Sequence, residues 1–129
     1  MTPDTLFLDI DDVLEIHDLQ IGSFGGSTGM RDRGLLESAV GMPQASFGGQ
    51  FVHDSTFLMA AAYAFHIAEN QPFIDGNKRT ALVSALTFLE LNGYTILDPD
   101  EKLYDAMISI AQKKLNKEGM ASLLENLSK

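Results

Sequence analysis

Apolar positions along this chain recur with a helical period in successive stretches, each closed off by glycine, proline or a capping residue. Thr5 to Leu8 reads as a short extended lead-in, after which Asp9 is placed to cap a helix from Ile10 to about Gly22. Val13, Ile16, Leu19 and Gln20 form its stripe, with Leu14 and Ile21 beside it, and Asp12 adds negative charge to the first turn. Ser23 to Arg33 carries three glycines and no apolar period, which predicts a loop. Asp32 is placed to cap the next helix, Gly34 to about Gly41, and Pro43 to end it. Phe47-Gly48-Gly49-Gln50-Phe51 reads as a turn-rich loop with two anchoring aromatics.

Ser55 suits the N-cap of a helix from Thr56 to Asn70, with Phe57, Ala61, Ala64, Phe65 and Ala68 on its buried side and alanines that admit a close neighbour. Pro72 breaks that helix, and Phe73 and Ile74 are expected to plug the following loop into the core. A very apolar helix then runs to Asn92 and stops at Gly93. It carries Leu82, Leu86 and Leu89 on one face and Ala81, Ala85 and Phe88 on another. Tyr94 to Leu97 is β-branched and aromatic enough for a short strand pairing with residues 5–8. Pro99 and Asp100 are expected to open a helix to about Lys113 carrying Leu103, Ala106, Met107, Ile110 and Ala111. Asn116 caps the last one, with Met120, Leu123, Leu124 and Leu127 inward. The pattern predicts a mainly α fold with at most a small β element, in one domain over residues 1–129.

With 129 residues and 45% hydrophobic content the chain has enough apolar surface for a workable core. It has no cysteine, which excludes disulfides and thiolate metal sites and suits a reducing cytoplasm. The N-terminus lacks a basic segment followed by an apolar run, and no apolar stretch reaches membrane-spanning length, so neither a signal peptide nor a membrane span is expected. A formal charge of −9 argues against direct binding to nucleic acid.

That balance leaves only 9 Lys and Arg, and two of them stand together in the most informative stretch, Asn70-Gln71-Pro72-Phe73-Ile74-Asp75-Gly76-Asn77-Lys78-Arg79-Thr80. A helix N-terminus already presents unpaired N–H groups and partial positive charge, so Lys78 and Arg79 oppose the macrodipole unless an anion joins them. A phosphate resolves the conflict, with Gly76 allowing close backbone approach and Asp75 able to hold a divalent cation beside it. The same residues also read as an N-cap, a turn glycine and two solvated charges. A short Asp-Gly-Asn pattern does not choose between the two.

The stretch resembles the signature of the Fic/Doc (Fido) superfamily, His-x-Phe-x-Asp/Glu-Gly-Asn-Gly/Lys-Arg, in its death-on-curing (Doc) form. Phe73, Asp75, Gly76, Asn77, Lys78 and Arg79 match in order and spacing, and Lys78 is the Doc-type variant. The likeness extends through Ile16-His17-Asp18, Phe24-Gly25-Gly26, Gly29, Arg31-Asp32 and Gly34-Leu35-Leu36-Glu37-Ser38-Ala39, covering residues 6–97. It implies a Fido-like helical bundle.

The resemblance implies a toxin of a toxin–antitoxin pair that transfers the γ-phosphate of ATP to a threonine of elongation factor Tu. Asp75 would coordinate Mg²⁺; Gly76, Asn77, Lys78 and Arg79 would cradle the nucleotide phosphates; a flap containing Gly25, Gly26 and Gly29 would align the target's backbone. A small antitoxin would dock a disordered C-terminal tail that folds on binding, with the apolar helices after residue 100 lining its groove. The chain departs from the pattern at Gln71, where the family has a histidine acting as general base. A carboxamide can position a hydroxyl but cannot deprotonate it. His66 lies roughly 140° away around an ideal helix, so it is expected to be a partly buried residue beside Phe65 and Tyr63 rather than a substitute. For His17 a structural role, bonding a neighbouring carbonyl, is favoured over shaping a substrate cleft. Two further readings stay open: a catalytically inactive nucleotide- or protein-binding module, and nucleotidyl transfer, against which Lys78 and Leu82 argue.

Overall fold

The structure is a computed structural model that describes residues 4–129. Helices dominate it, as the apolar periodicity predicts. In order they are α1 (Ile10–Phe24), α2 (Arg33–Gly41), α3 (Thr56–Asn70), α4 (Asn77–Leu91), α5 (Lys102–Ala111) and α6 (Lys117–Leu127). None of these helices is long and apolar enough to cross a membrane.

The capping residues anticipated from sequence do their work. Asp9 accepts from the Asp12 N–H while Asp12 accepts from the Asp9 N–H, a reciprocal capping box that starts α1. Asp32, Ser55 and Asn116 each accept from the backbone three residues on. The core centres on α3, where Met59 to Ala64, Ile67 and Ala68 are all buried. Its alanines and the buried Ala81, Ser84 and Ala85 of α4 are small residues that suit the close packing of α3 on α4, the most extensively packed pair among the described elements. Tyr63, buried between them, ties down the lead-in by accepting from the Leu8 N–H at 2.8 Å and donating to its carbonyl at 3.2 Å.

Several expectations are corrected. Leu19 is 60% exposed; the buried face of α1 is Val13, Ile16, His17 and Ile21. α2 ends at Gly41 as expected before Pro43, but the chain does not leave helical geometry there: Pro43 sits early in a 3₁₀ turn, Met42–Gln44, that follows directly. The glycine-rich loop after it is a small hairpin, β1 (Ser46–Phe47) with β2 (Gln50–Phe51), turned by two positive-φ glycines. Phe47 at its tip is 86% exposed, so only Phe51, packed on Phe7, anchors it. Ile74 is likewise exposed, leaving Phe73 alone as the plug, and Ala111 faces out. Residues 94–97 do not pair with 5–8. The Asn92 side chain occupies both backbone groups of Leu6, and Ile96 instead bridges to Ser128 near the C-terminus. α5 begins at Lys102 rather than at Pro99 because the Asp98 carboxylate gathers the N–H groups of Lys102 and Leu103.

His66 contacts the Phe65 ring edge-on, as expected, but its Nε2 is engaged elsewhere. The Lys117 ammonium, in the first turn of α6, donates to His66 Nε2 at 3.0 Å and to the buried His53 Nε2 at 3.1 Å. Burial first, then Lys117 and His53, push the His66 imidazole down to about 4, against a small upward pull from Glu69. Between its ordinary value of 6.5 and about 4 the unfolded chain therefore binds the extra proton, so stability is lost as pH falls through that window. A His66→Gln chain, which keeps an acceptor for Lys117 without titrating, is expected to lose stability less steeply from pH 7 to 4 in chemical denaturation. Parallel slopes for the two proteins would contradict the assignment.

Candidate functional site

α3 and α4 are joined by residues 71–76, and this short loop carries the chemistry flagged in the sequence. α3 ends on Gln71, whose φ of +46° puts a non-glycine residue in the left-handed region. Such a conformation costs roughly 1–2 kcal/mol and needs support. Arg31 supplies it: Nε donates to the Gln71 carbonyl and Nη2 to the Asn70 carbonyl, both at 2.7 Å, capping the negative end of α3.

The glycine loop between α1 and α2 lies along this segment. Arg31 and Asp32 N–H groups donate to the Pro72 carbonyl, Ile74 N–H donates to the Gly29 carbonyl, and Met30 forms an antiparallel bridge with Phe73. Gly26 and Gly29 combine positive φ with a close approach to side-chain tips of the motif loop. A Cβ on Gly26 would fall 2.7 Å from Asp75 Oδ2, and one on Gly29 would fall 2.8 Å from Ile74 Cδ1.

Asp75 is held from three sides. Oδ1 accepts from Gly76 N–H at 2.9 Å, Oδ2 accepts from Ser27 N–H at 3.1 Å, and its carbonyl lies 2.8 Å from His17 Nε2. It is not the helix cap. That position belongs to Gly76 (φ +78°), which offers no side-chain acceptor, so the start of α4 is left open. The first helical bond is Thr80 N–H to the Gly76 carbonyl, leaving the N–H groups of Asn77, Lys78 and Arg79 ahead of the ladder. The Asn77 side chain folds back onto Phe73, accepting from its N–H at 3.0 Å and donating to its carbonyl at 2.9 Å. Asn77 thus offers a ligand its backbone and not its carboxamide. The Arg79 guanidinium lies over the Phe24 ring at 3.9 Å, with the Tyr104 ring at 5.2 Å. Lys78 is exposed.

Two shallow clefts flank the motif. One, about 240 Å³, brings together Gln71, Asp75, Gly76, Asn77 and Lys78. The other, about 230 Å³, joins Gly25 and Phe24 to residues 75–79. Beyond Arg79 a larger groove of about 620 Å³ has an apolar floor that includes Leu82, Leu86 and Leu103 and an acidic rim of Asp98, Asp100, Glu101 and Asp105. Gly25, Gly26 and Gly29 therefore lie beside the motif, and His66, bonded to Lys117, belongs to a separate cluster.

Chemically the site offers one carboxylate, open N–H donors and two cations. Among the described residues no three His, Cys, Asp or Glu side chains gather to hold a metal ion. A divalent ion at Asp75 would have to complete its shell with phosphate oxygens and water, which is how Mg²⁺ prefers to be bound. The donor set therefore fits a Mg²⁺–nucleotide.

Sequence reasoning gave no role to Ser27, Arg31, Phe24 or Tyr104. Ser27 and Arg31 act on backbone and side-chain atoms 48 and 40 residues away, a separation that leaves no trace in local pattern.

The Fic/DOC family profile matches residues 7–89. Toxin Doc of Mycolicibacterium smegmatis is 37% identical over 122 residues, spanning 93% of this chain and 92% of that protein. Protein kinase doc of Escherichia phage P1 is 35% identical over 117 residues, spanning 91% of each. The chain belongs to the Fic/DOC family, on its Doc branch.

Gly26→Ala and Gly25→Ala separate close contact from backbone strain, since both positions have positive φ but nothing lies within 4 Å of a Cβ on Gly25. Each is expected to lose roughly 1–3 kcal/mol in thermal melts. Only Gly26→Ala should also shift the Asp75 side-chain carbon signal in NMR. A shift in both, or in neither, would contradict the contact.

Proposed function

We propose that this chain is a Doc-type toxin that uses Mg²⁺ and ATP to phosphorylate a threonine of elongation factor Tu, with its activity weakened by Gln71. The observation that carries the reading is the juxtaposition of the Asp75 carboxylate with an uncapped helix start flanked by Lys78 and Arg79. The names of the two relatives, a toxin and a protein kinase, support the same class.

In this reading Asp75 holds Mg²⁺, which neutralises phosphate charge when bound. The N–H groups of Asn77, Lys78 and Arg79 receive phosphate oxygens, and the two side-chain cations balance their charge. Phosphoryl transfer asks mainly for positioning and charge stabilisation, and both are properties of a rigid backbone. The Asn77–Phe73 and Arg31–Gln71 bonds supply that rigidity. The glycine loop, already paired with residues 72–74, is the edge along which a target backbone would align. The larger groove, partly formed by α5, suits the tail of an antitoxin that is disordered when free and folds on binding.

Gln71 stands in this reading where the family's histidine would be. It is exposed and shares a cleft with Asp75 and Lys78, so its carboxamide can orient a hydroxyl but takes no proton. No other histidine replaces it: His53 and His66 are both bonded to Lys117, and His17 is buried against Phe73. This favours, as second reading, a module that binds nucleotide or partner without chemistry. Nucleotidyl transfer is disfavoured, because Leu82 contributes to an apolar groove where an additional arginine would be needed.

Elongation factor Tu incubated with ATP and either this chain or its Gln71→His variant, then examined by mass spectrometry, separates the readings. The histidine variant is expected to add phosphate roughly 10²–10⁴ times faster. Equal rates would show that no general base is needed at residue 71. Nucleotide binding without transfer by either protein would establish the binding module, and a nucleotidyl adduct would overturn the phosphotransferase.

A further inference from the structure

We propose that His17 of α1 is a positioning residue that aims the Asp75 carboxylate by fixing the peptide unit between Asp75 and Gly76. The inference extends the reading of Asp75 as the metal-holding group. It rests on a contact that spans 58 residues of sequence.

A carbonyl oxygen can only accept, so the 2.8 Å contact between His17 Nε2 and the Asp75 carbonyl places the imidazole proton on Nε2. The Asp75 carbonyl and the Gly76 N–H are the two ends of one planar peptide. Holding the carbonyl end toward α1 points the N–H end the opposite way, and there it meets Asp75 Oδ1 at 2.9 Å. The second oxygen is then in reach of Ser27 N–H at 3.1 Å. One imidazole proton thereby sets the peptide, the peptide sets one carboxylate oxygen, and the glycine loop secures the other.

The ring is itself immobilised. His17 is 3% exposed and stacks flat on Phe73, with centroids 3.8 Å apart and planes 6° from parallel. Phe73 is in turn fixed through its backbone by the Asn77 side chain. A Cβ on Gly76 would lie 3.6 Å from the imidazole and 3.1 Å from Ile21 Cδ1, so α1 closes against the loop with no slack. Nδ1 lies 4.0 Å from Asp18 Oδ1, beyond hydrogen-bond range, so the Asp75 carbonyl is the partner that orients the ring.

Two measurements on the unaltered chain and two variants test this. Nitrogen-detected NMR at neutral pH is expected to find His17 as the Nε2–H tautomer; an Nδ1–H tautomer would overturn the proposal without any mutation. His17→Leu keeps apolar bulk and removes the donor, whereas His17→Gln keeps an N–H near the same place. His17→Leu is expected to move the Gly76 and Ser27 amide proton signals upfield and to weaken Mg²⁺-dependent ATP binding about 10- to 100-fold, with His17→Gln restoring much of both. Unmoved amide signals in His17→Leu, or equal loss of binding in both variants, would overturn it. If the amide signals move as expected but the unaltered chain binds no Mg²⁺–ATP, the positioning stands and the nucleotide reading of the site falls.

Discussion

Two helix ends of opposite polarity lie on either side of the six residues 71–76, and the site follows from how differently they are treated. The negative end of α3 is capped by the Arg31 guanidinium, while the positive end of α4 has no side-chain cap and carries two cations of its own. Unfavourable charges at a helix start cost about 0.3–1 kcal/mol each, so the arrangement stores a demand for an anion. The Asp75 carboxylate answers part of that demand but is turned toward Gly76 and Ser27 rather than onto the helix start.

The loop keeps its shape through side chains that bond to backbone. Arg31 takes two carbonyls, Asn77 takes both backbone groups of Phe73, Asn70 donates to the Leu35 carbonyl, and His17 meets the Asp75 carbonyl. Apart from the Asn77–Phe73 pair, these bonds come from α1, the glycine loop and α2, so the motif is positioned largely by elements outside it. What they leave free is informative. Lys78 and Gln71 are exposed at the clefts, and Arg79 rests on aromatic faces, with no ion pair among the described residues. The polar atoms not used in holding the loop are those that can meet a ligand.

Much of this was legible from the chain alone, because helix caps and apolar periodicity are local. Asp9, Asp32, Ser55 and Asn116 cap as their positions imply, and the mainly α architecture follows from them. Errors arose where a distant group overrides local preference. Tyr94 to Leu97 has strand propensity, but Asn92 already holds the backbone of Leu6, and the C-terminus offers the free edge. Leu19 fits the α1 stripe by spacing, yet the buried face is set by His17, two residues before it and roughly 200° around the helix, whose ring stacks on Phe73. At the site, residues 75–79 were found by motif, but Asn77 uses its side chain on Phe73, and Ser27 and Arg31 act across long separations that no pattern marks. The Fic/DOC likeness located the loop; only the structure shows what orients it.

The central claim is that the start of α4, with Lys78 and Arg79, is an anion site that accepts nucleotide phosphates. Isothermal titration of Mg²⁺–ATP into the unaltered chain and into a Lys78→Ala, Arg79→Ala double variant addresses it most directly, since among the described residues neither side chain holds the loop by a hydrogen bond and the Arg79 guanidinium lies over the Phe24 and Tyr104 rings. Saturable binding by the unaltered chain and its loss in the double variant is the predicted result. Equal binding by both proteins would contradict it.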